Sequence, residues 1–212
     1  MPSRSLTLLG VLLCHLYMTE LAFPAEFGDV ELSMYVLGSW PRNQDLFNQG
    51  AIASASVQEG VGAGLTVGLF PSALHGILGL AFDSNIHSGA LAFSSVSTGQ
   101  AHGTDRSDLL VSNTTANLIL RYPGEHIHPY VGIGVGWSSG VLLNPNVSGR
   151  MDEDFESAYA LVHQYLGGGQ LVISPKWFLF GEYRYVSANY HWDGLAIDFR
   201  THYGLVGAGL RF

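Results

Sequence analysis

Tyr203-Gly204-Leu205-Val206-Gly207-Ala208-Gly209-Leu210-Arg211-Phe212 is the last stretch of the sequence, and its alternation decides the fold. Counting back in twos gives Phe212, Leu210, Ala208, Val206 and Gly204, all apolar or small. In an extended strand, alternate residues point to opposite faces. This stretch therefore predicts a strand with one apolar face turned outward.

Seven earlier runs carry the same period of two. The first, about Asp29 to Trp40, sets Val30, Leu32, Met34, Val36 and Trp40 on one face. The second, Gly60 to Phe70, aligns Val61, Ala63, Leu65, Val67 and Leu69, and the third, Gly76 to Ser84, aligns Leu78, Leu80 and Phe82. The fourth, Leu109 to Tyr122, carries Ala116, Leu118, Leu120 and Tyr122; the fifth, Pro129 to Ser138, carries Val131, Ile133, Val135 and Trp137. The sixth, Tyr159 to Ile173, and the seventh, Trp177 to Ala188, continue the pattern. The opposite faces are small or polar, as in Gly60-x-Gly62-x-Gly64-x-Thr66-x-Gly68 and Asn113-x-Thr115-x-Asn117. A soluble sandwich would bury the branched residues and expose charge, and only 12% of this chain is charged. The reading is all-β: an eight-stranded antiparallel up-and-down transmembrane β-barrel, whose lipid-facing positions are apolar and whose narrow interior is filled by side chains.

The connections alternate in length. Pro71 to Leu74, Pro123 to His126 and Ser174 to Lys176 are short turns rich in Pro and Gly. Arg42 to Glu59, Asn85 to Asp108, Ser139 to Ser157 and Asn189 to Arg200 read as long polar loops. Transmembrane barrels have short periplasmic turns and longer extracellular loops, which puts both termini of the barrel on the periplasmic side. Trp40, Phe70, Tyr122, Trp137, Trp177, Trp192 and Phe212 lie near strand ends, where aromatic girdles are expected.

Residues 1–25 read as a cleaved secretory signal peptide and residues 26–212 as the barrel. Arg4 supplies the positive region and Leu6 to Tyr17 the apolar region; cleavage after Ala25, or after Ala22, follows. The only cysteine, Cys14, falls inside this segment, so no disulfide is expected in the barrel. The net charge is -8 with no basic patch, which argues against nucleic acid as a partner.

The segment Ile173-Ser174-Pro175-Lys176-Trp177-Phe178-Leu179-Phe180-Gly181-Glu182-Tyr183-Arg184-Tyr185 resembles the penultimate hairpin of small OmpA/OmpX-like outer-membrane barrels, the outer membrane protein β-barrel domain family. His128-Pro129-Tyr130-Val131-Gly132-Ile133-Gly134-Val135-Gly136 is similar to the fifth strand of that family. The architectural likeness covers Phe27 to Phe212, with the motifs confined to the last half. Gln170 departs from the pattern, which often has an inward Glu there. The resemblance implies a Gram-negative outer-membrane location, lipid and lipopolysaccharide as surroundings, and a monomer. It also implies recognition of Phe212 and Leu210 by the barrel-assembly machinery.

By parity, Glu31, Asp83, Asn113, Asn117, Arg121, Gln170, Glu182 and Arg184 face the lumen. Buried charges need partners, so a hydrogen-bonded network filling the barrel is expected. A gated ion path through the same residues is the alternative. Ser187 and His191 raise a lipid-modifying hydrolase, but nucleophilic catalysis needs a base held by a third group and no such motif is legible. His126 and His128 are two ligands and do not make a metal site. Asp152-Glu153-Asp154-Phe155-Glu156 reads as a solvated acidic loop. The expectation is a non-enzymatic barrel without cofactor or metal, structural in the envelope or binding host or surface ligands through four extracellular loops.

Overall fold

In the computed structural model the described residues are 28–42, 44–48, 51–97, 100–143, 155–192 and 195–212. The signal-peptide expectation and Asp152 to Asp154 lie outside them. The strands are β1 (Gly28–Pro41), β2 (Gln44–Asn48), β3 (Ala51–Gln58), β4 (Gly60–Pro71), β5 (Leu78–Ser97), β6 (Gln100–Arg121), β7 (Ile127–Leu143), β8 (Phe155–Val172), β9 (Trp177–Trp192) and β10 (Leu195–Arg211). All neighbours are antiparallel, and β1 pairs with β10 to close the sheet. Both β1 and β2 pair with β10, and both β3 and β4 pair with β5. The ten segments therefore make eight staves.

The register determines the shape of the barrel. From Val30 the ladder partners run through Leu69, Leu80, Leu118, Ile133, Tyr165, Tyr185 and His202, and return to β1 at Trp40. The path re-enters ten residues up the same strand (40 − 30), a shear of ten for eight staves. With ~3.3 Å per residue along a strand and ~4.8 Å between strands, that shear tilts the strands by about 41°. Ile127 to Trp137 on β7 then spans about 25 Å along the barrel axis, the height of a hydrocarbon core.

Over that height the barrel is apolar outside and polar inside. Met34, Val61, Phe82, Leu120, Ile133, Leu161, Leu179 and Val206 are exposed on the outer wall. Trp177, Tyr122 and Phe212 ring the lower edge, and Trp40 and Trp137 stand at the upper one. The Trp40 ring lies across the bare backbone of Gly38 and Gly204, with ring carbons 3.1 Å from where a Cβ would sit on either residue. At the lower end, the tight turn after β4 is a single 3-10 turn, Ser72–Leu74. It closes through two left-handed residues, His75 at φ 53° and Gly76 at φ 66°; glycine carries no penalty there.

Two expectations are corrected. Most of the long polar segments are strand: β5 and β6 stay paired up to Ser97 and Gln100, β7 and β8 up to Leu143 and Phe155, and β9 and β10 up to Trp192 and Leu195. The physical reason is an inversion of the pattern. Above the belt the inward positions become apolar, with Val111, Leu142, Ala158, Val162, Tyr190 and Phe199 all buried in one cluster. Strands so extended bury a second core above the membrane. Phe70, expected in a girdle, points inward and is buried. It lies on the even face of β4, and the Arg121 guanidinium stacks over its ring at 3.7 Å.

Candidate functional site

Alternation along eight staves converges the polar residues on the lumen, where they form stacked layers. The lowest is ionic. Glu31 on β1 accepts at Oε1 from Arg121 Nη1 at 2.6 Å and Arg211 Nη2 at 2.8 Å, and at Oε2 from Gln170 Nε2 at 2.8 Å. Arg121 also donates from Nε to the Gly76 carbonyl at 3.1 Å, tying the first turn to the barrel floor. Asp29 lies at the rim, 3.3 Å from Arg121 and half-exposed. The donation to Glu31 fixes the Gln170 amide, because only its N–H side can face a carboxylate. Its Oε1 is buried without a protein partner. It borders a cavity of about 50 Å³ also lined by Glu31, Ile119, Tyr130, Phe180 and Glu182.

The middle layer is built on Arg184 of β9. It makes two parallel bonds to Asp83, Nη1 to Oδ1 at 2.7 Å and Nη2 to Oδ2 at 3.0 Å, and its Nε donates to Glu182. Asp83 further accepts from Tyr35 at 2.8 Å, Thr66 at 2.7 Å and Asn85 at 3.0 Å. Tyr130 donates to Glu182 at 2.7 Å. Gly64 makes room for this layer: a Cβ there would run into the Tyr35 ring.

The third layer is neutral. Asn113 donates to Asn85 at 3.0 Å and to the Tyr203 hydroxyl at 3.3 Å, which also meets His87 Nε2 at 2.7 Å. Gln164 donates to Asn117 at 2.5 Å and Thr115 at 3.0 Å. Above it, the Ser138 and Tyr190 hydroxyls meet at the base of the apolar cluster.

The structure thus brings Asp83, Glu182 and Arg184 into one cluster and Glu31, Arg121 and Gln170 into a second, with Asn117 bonded to Gln164 and Thr115, and Asn113 bonded to Asn85, Tyr203 and Ser138. The sequence reading did not single out Arg211, Tyr35, Tyr130, Asn85, His87 and Tyr203 as members of the network, nor Thr66, which it placed on the inner face. All sit at inward positions of their strands, so alternation could have found them, but their partners lie up to 180 residues away, as for Arg211 with Glu31. Inside the lumen, the buried carboxylates of Glu31, Asp83 and Glu182 face the guanidiniums of Arg121, Arg184 and Arg211. The lumen charges of the described residues therefore balance, with Asp29 left at the water-filled rim.

Ser187 and His191 do not meet. Their outward side chains sit two pleats apart on β9, and the register sets Ser187 beside His163 instead. No hydrogen bond joins Ser187 to either histidine. His126 is exposed in its turn, whereas His128 is buried at the mouth on the short-turn side. Among the described residues no group of three His, Cys, Asp or Glu could hold a metal. Phe212 pairs back onto β1, its N–H donating to the Val30 carbonyl at 2.9 Å, so the end of the chain closes the barrel seam.

No family model and no curated protein matches the sequence. Solved structures do. The chain is similar to OprG, an outer membrane protein of Pseudomonas aeruginosa, at 15% identity and a TM-score of 0.61, over 88% of this chain and 97% of that one. Neisserial surface protein A is matched at 13% identity and a TM-score of 0.56, over 87% and 99%. The outer membrane protein AlkL, solved in lipid bilayers, is matched at 17% identity and a TM-score of 0.54, over 88% and 91%. The fold is that of small eight-stranded outer-membrane β-barrels, the architecture implied by the OmpA/OmpX-like resemblance.

Proposed function

We propose that this chain is a non-enzymatic barrel of a bacterial outer membrane, with a closed lumen, that works through its extracellular hairpins on envelope or surface ligands. The observation that carries the reading is the filled lumen. Its ionic layers consume their own charges, and the apolar cluster above them closes the lumen among the described residues. A hydrated ion crossing that cluster would lose its water without compensation, which is very costly. The extension of the staves above the belt gives the hairpins a rigid base, as expected for a surface that binds through its tips. The hydrolase alternative gains no support from Ser187, which bonds neither His191 nor His163.

Two measurements test this. Purified, refolded protein in a planar bilayer is expected to give no conductance steps above the bare membrane. Intact cells carrying the barrel are expected to gain binding to lipopolysaccharide, host matrix or other surface ligands, and to lose it when the hairpin tips are exchanged. Reproducible channels would transfer the role to the narrow-pore alternative, and release of fatty acid from lipid A would transfer it to the hydrolase.

A further inference from the structure

The outer wall above the aromatic girdle is not uniform around the barrel. The ladder climbs ten residues over eight staves, about 1.25 residues per stave, so outward positions on different strands can be ranked by height. On that scale Leu110 of β6, Val141 of β7 and Tyr159 of β8 stand within about two residues of Arg42 after β1, Asn189 of β9 and Asp198 of β10. Of these six positions three are apolar and three are charged or amide. Tyr159 is 77% exposed, and Leu161 below it 69%. Leu110 and Val141 are ladder partners and half-buried, and Leu143 continues the same face of β7. Arg42, Asn189, Asp198 and Arg200 are exposed on the opposite wall, where Arg200 and Asp198 form an ion pair.

We propose that the Leu110–Val141–Tyr159 wall is seated in the outer leaflet, so that the barrel stands tilted, with the β6–β8 side immersed deeper than the β10–β1 side. The occupant is lipid because the wall is continuous with the lipid-facing belt. Leu161 is the direct ladder partner of Trp137 in the girdle, and Tyr159 sits one pleat above it. No charged side chain interrupts the outward positions from Ile127 to Leu143 on β7. A charge in hydrocarbon is expensive; the first exposed charge on this wall is Asp108, the ladder partner of Leu143, whereas Arg200 and Asp198 stand lower on the other wall. The wall free of charge therefore reaches about three residues higher than the wall opposite, which over the width of a small barrel corresponds to a tilt of about 15°. This inference rests on the transmembrane reading, and its test keeps the two apart.

Single cysteines carrying a nitroxide, in a Cys14→Ser background of the full chain refolded into phosphatidylcholine vesicles, read local depth by relaxation with oxygen and with an aqueous nickel chelate. Tyr159→Cys is expected to match Leu120→Cys, a control inside the apolar belt: oxygen-accessible and shielded from nickel. Asp198→Cys is expected to lose that shielding. Val141→Cys gives an independent reading should Tyr159→Cys fail to refold. Nickel access at Tyr159 and Val141 equal to that at Asp198, with Leu120 still shielded, overturns the tilt alone; nickel access at Leu120 overturns the transmembrane reading itself. Shielding of Tyr159 from both reagents also overturns lipid as the occupant. Spin–spin broadening that disappears on dilution with unlabelled chain would then identify a second copy.

Discussion

Replacing Arg184 by Ala is expected to be the most damaging single change in the lumen. The guanidinium is buried, holds Asp83 through two bonds of 2.7 and 3.0 Å, and also holds Glu182. Alanine leaves both carboxylates in a confined space with only neutral donors: Tyr35, Thr66 and Asn85 on Asp83, and Tyr130 on Glu182. Breaking a buried ion pair by removing one partner costs about 3–5 kcal/mol. Two stranded anions place this site at the upper end. At roughly 2–4 °C per kcal/mol for a chain of this size, the folded form should be lost at least about 10 °C earlier. The assay is the temperature at which the compact, fast-migrating band converts to the unfolded one on a semi-native gel. Glu182→Gln is the internal control. It keeps the Arg184–Asp83 pair, and the amide oxygen still accepts from Tyr130, so a loss of about 1 kcal/mol is expected. Adding Asp83→Asn and Glu182→Gln to Arg184→Ala should restore part of the loss, because no charge is then left unpaired. Melting of Arg184→Ala within about 2 °C of the parent would refute the reasoning, since it would mean that water in the lumen replaces the guanidinium.

Phe199→Ala should cost about 3–5 kcal/mol, because its ring is buried against Tyr190 at 5.8 Å in the upper apolar core. Val206→Ala on the lipid face should shift the same gel transition far less, as lipid fills the space. Impermeant thiol reagents on intact cells should label Ser97→Cys and Asn146→Cys but not Glu125→Cys; the reverse pattern would invert the topology. Deleting Phe212 should leave processed protein stalled in the periplasm, read by fractionation, and normal outer-membrane levels would show that the terminal residue is dispensable for assembly.

Alternation made the lumen residues legible because a strand has a strict period of two: once the apolar face of β9 is turned to lipid, Glu182 and Arg184 must point inward. The same rule holds beyond the membrane, yet there it misled. Leu142, Tyr190 and Phe199 sit among Ser, Asp and Asn and read as loop, although they continue the inward face of β7, β9 and β10. The period persists while the polarity inverts, because above the belt the solvent outside changes from hydrocarbon to water. Ser187 and His191 show the converse limit, since closeness in sequence places them on one strand edge without contact.

Alternation along the chain establishes that it forms strands with a lipid-facing side, how many staves there are, and, Phe70 apart, which side chains of the belt turn to the interior. These follow from local geometry and from the cost of unpaired backbone in lipid. Only the closed sheet decided who meets whom. Arg184 finds Asp83 across 101 residues, and Arg211 finds Glu31, because a shear of ten brings those positions to one height; any other shear would pair different residues with the same parity. The tilt of the staves, the level at which the core inverts and the one-sided apolar wall depend on that closure, a property of eight strands together that no single strand encodes.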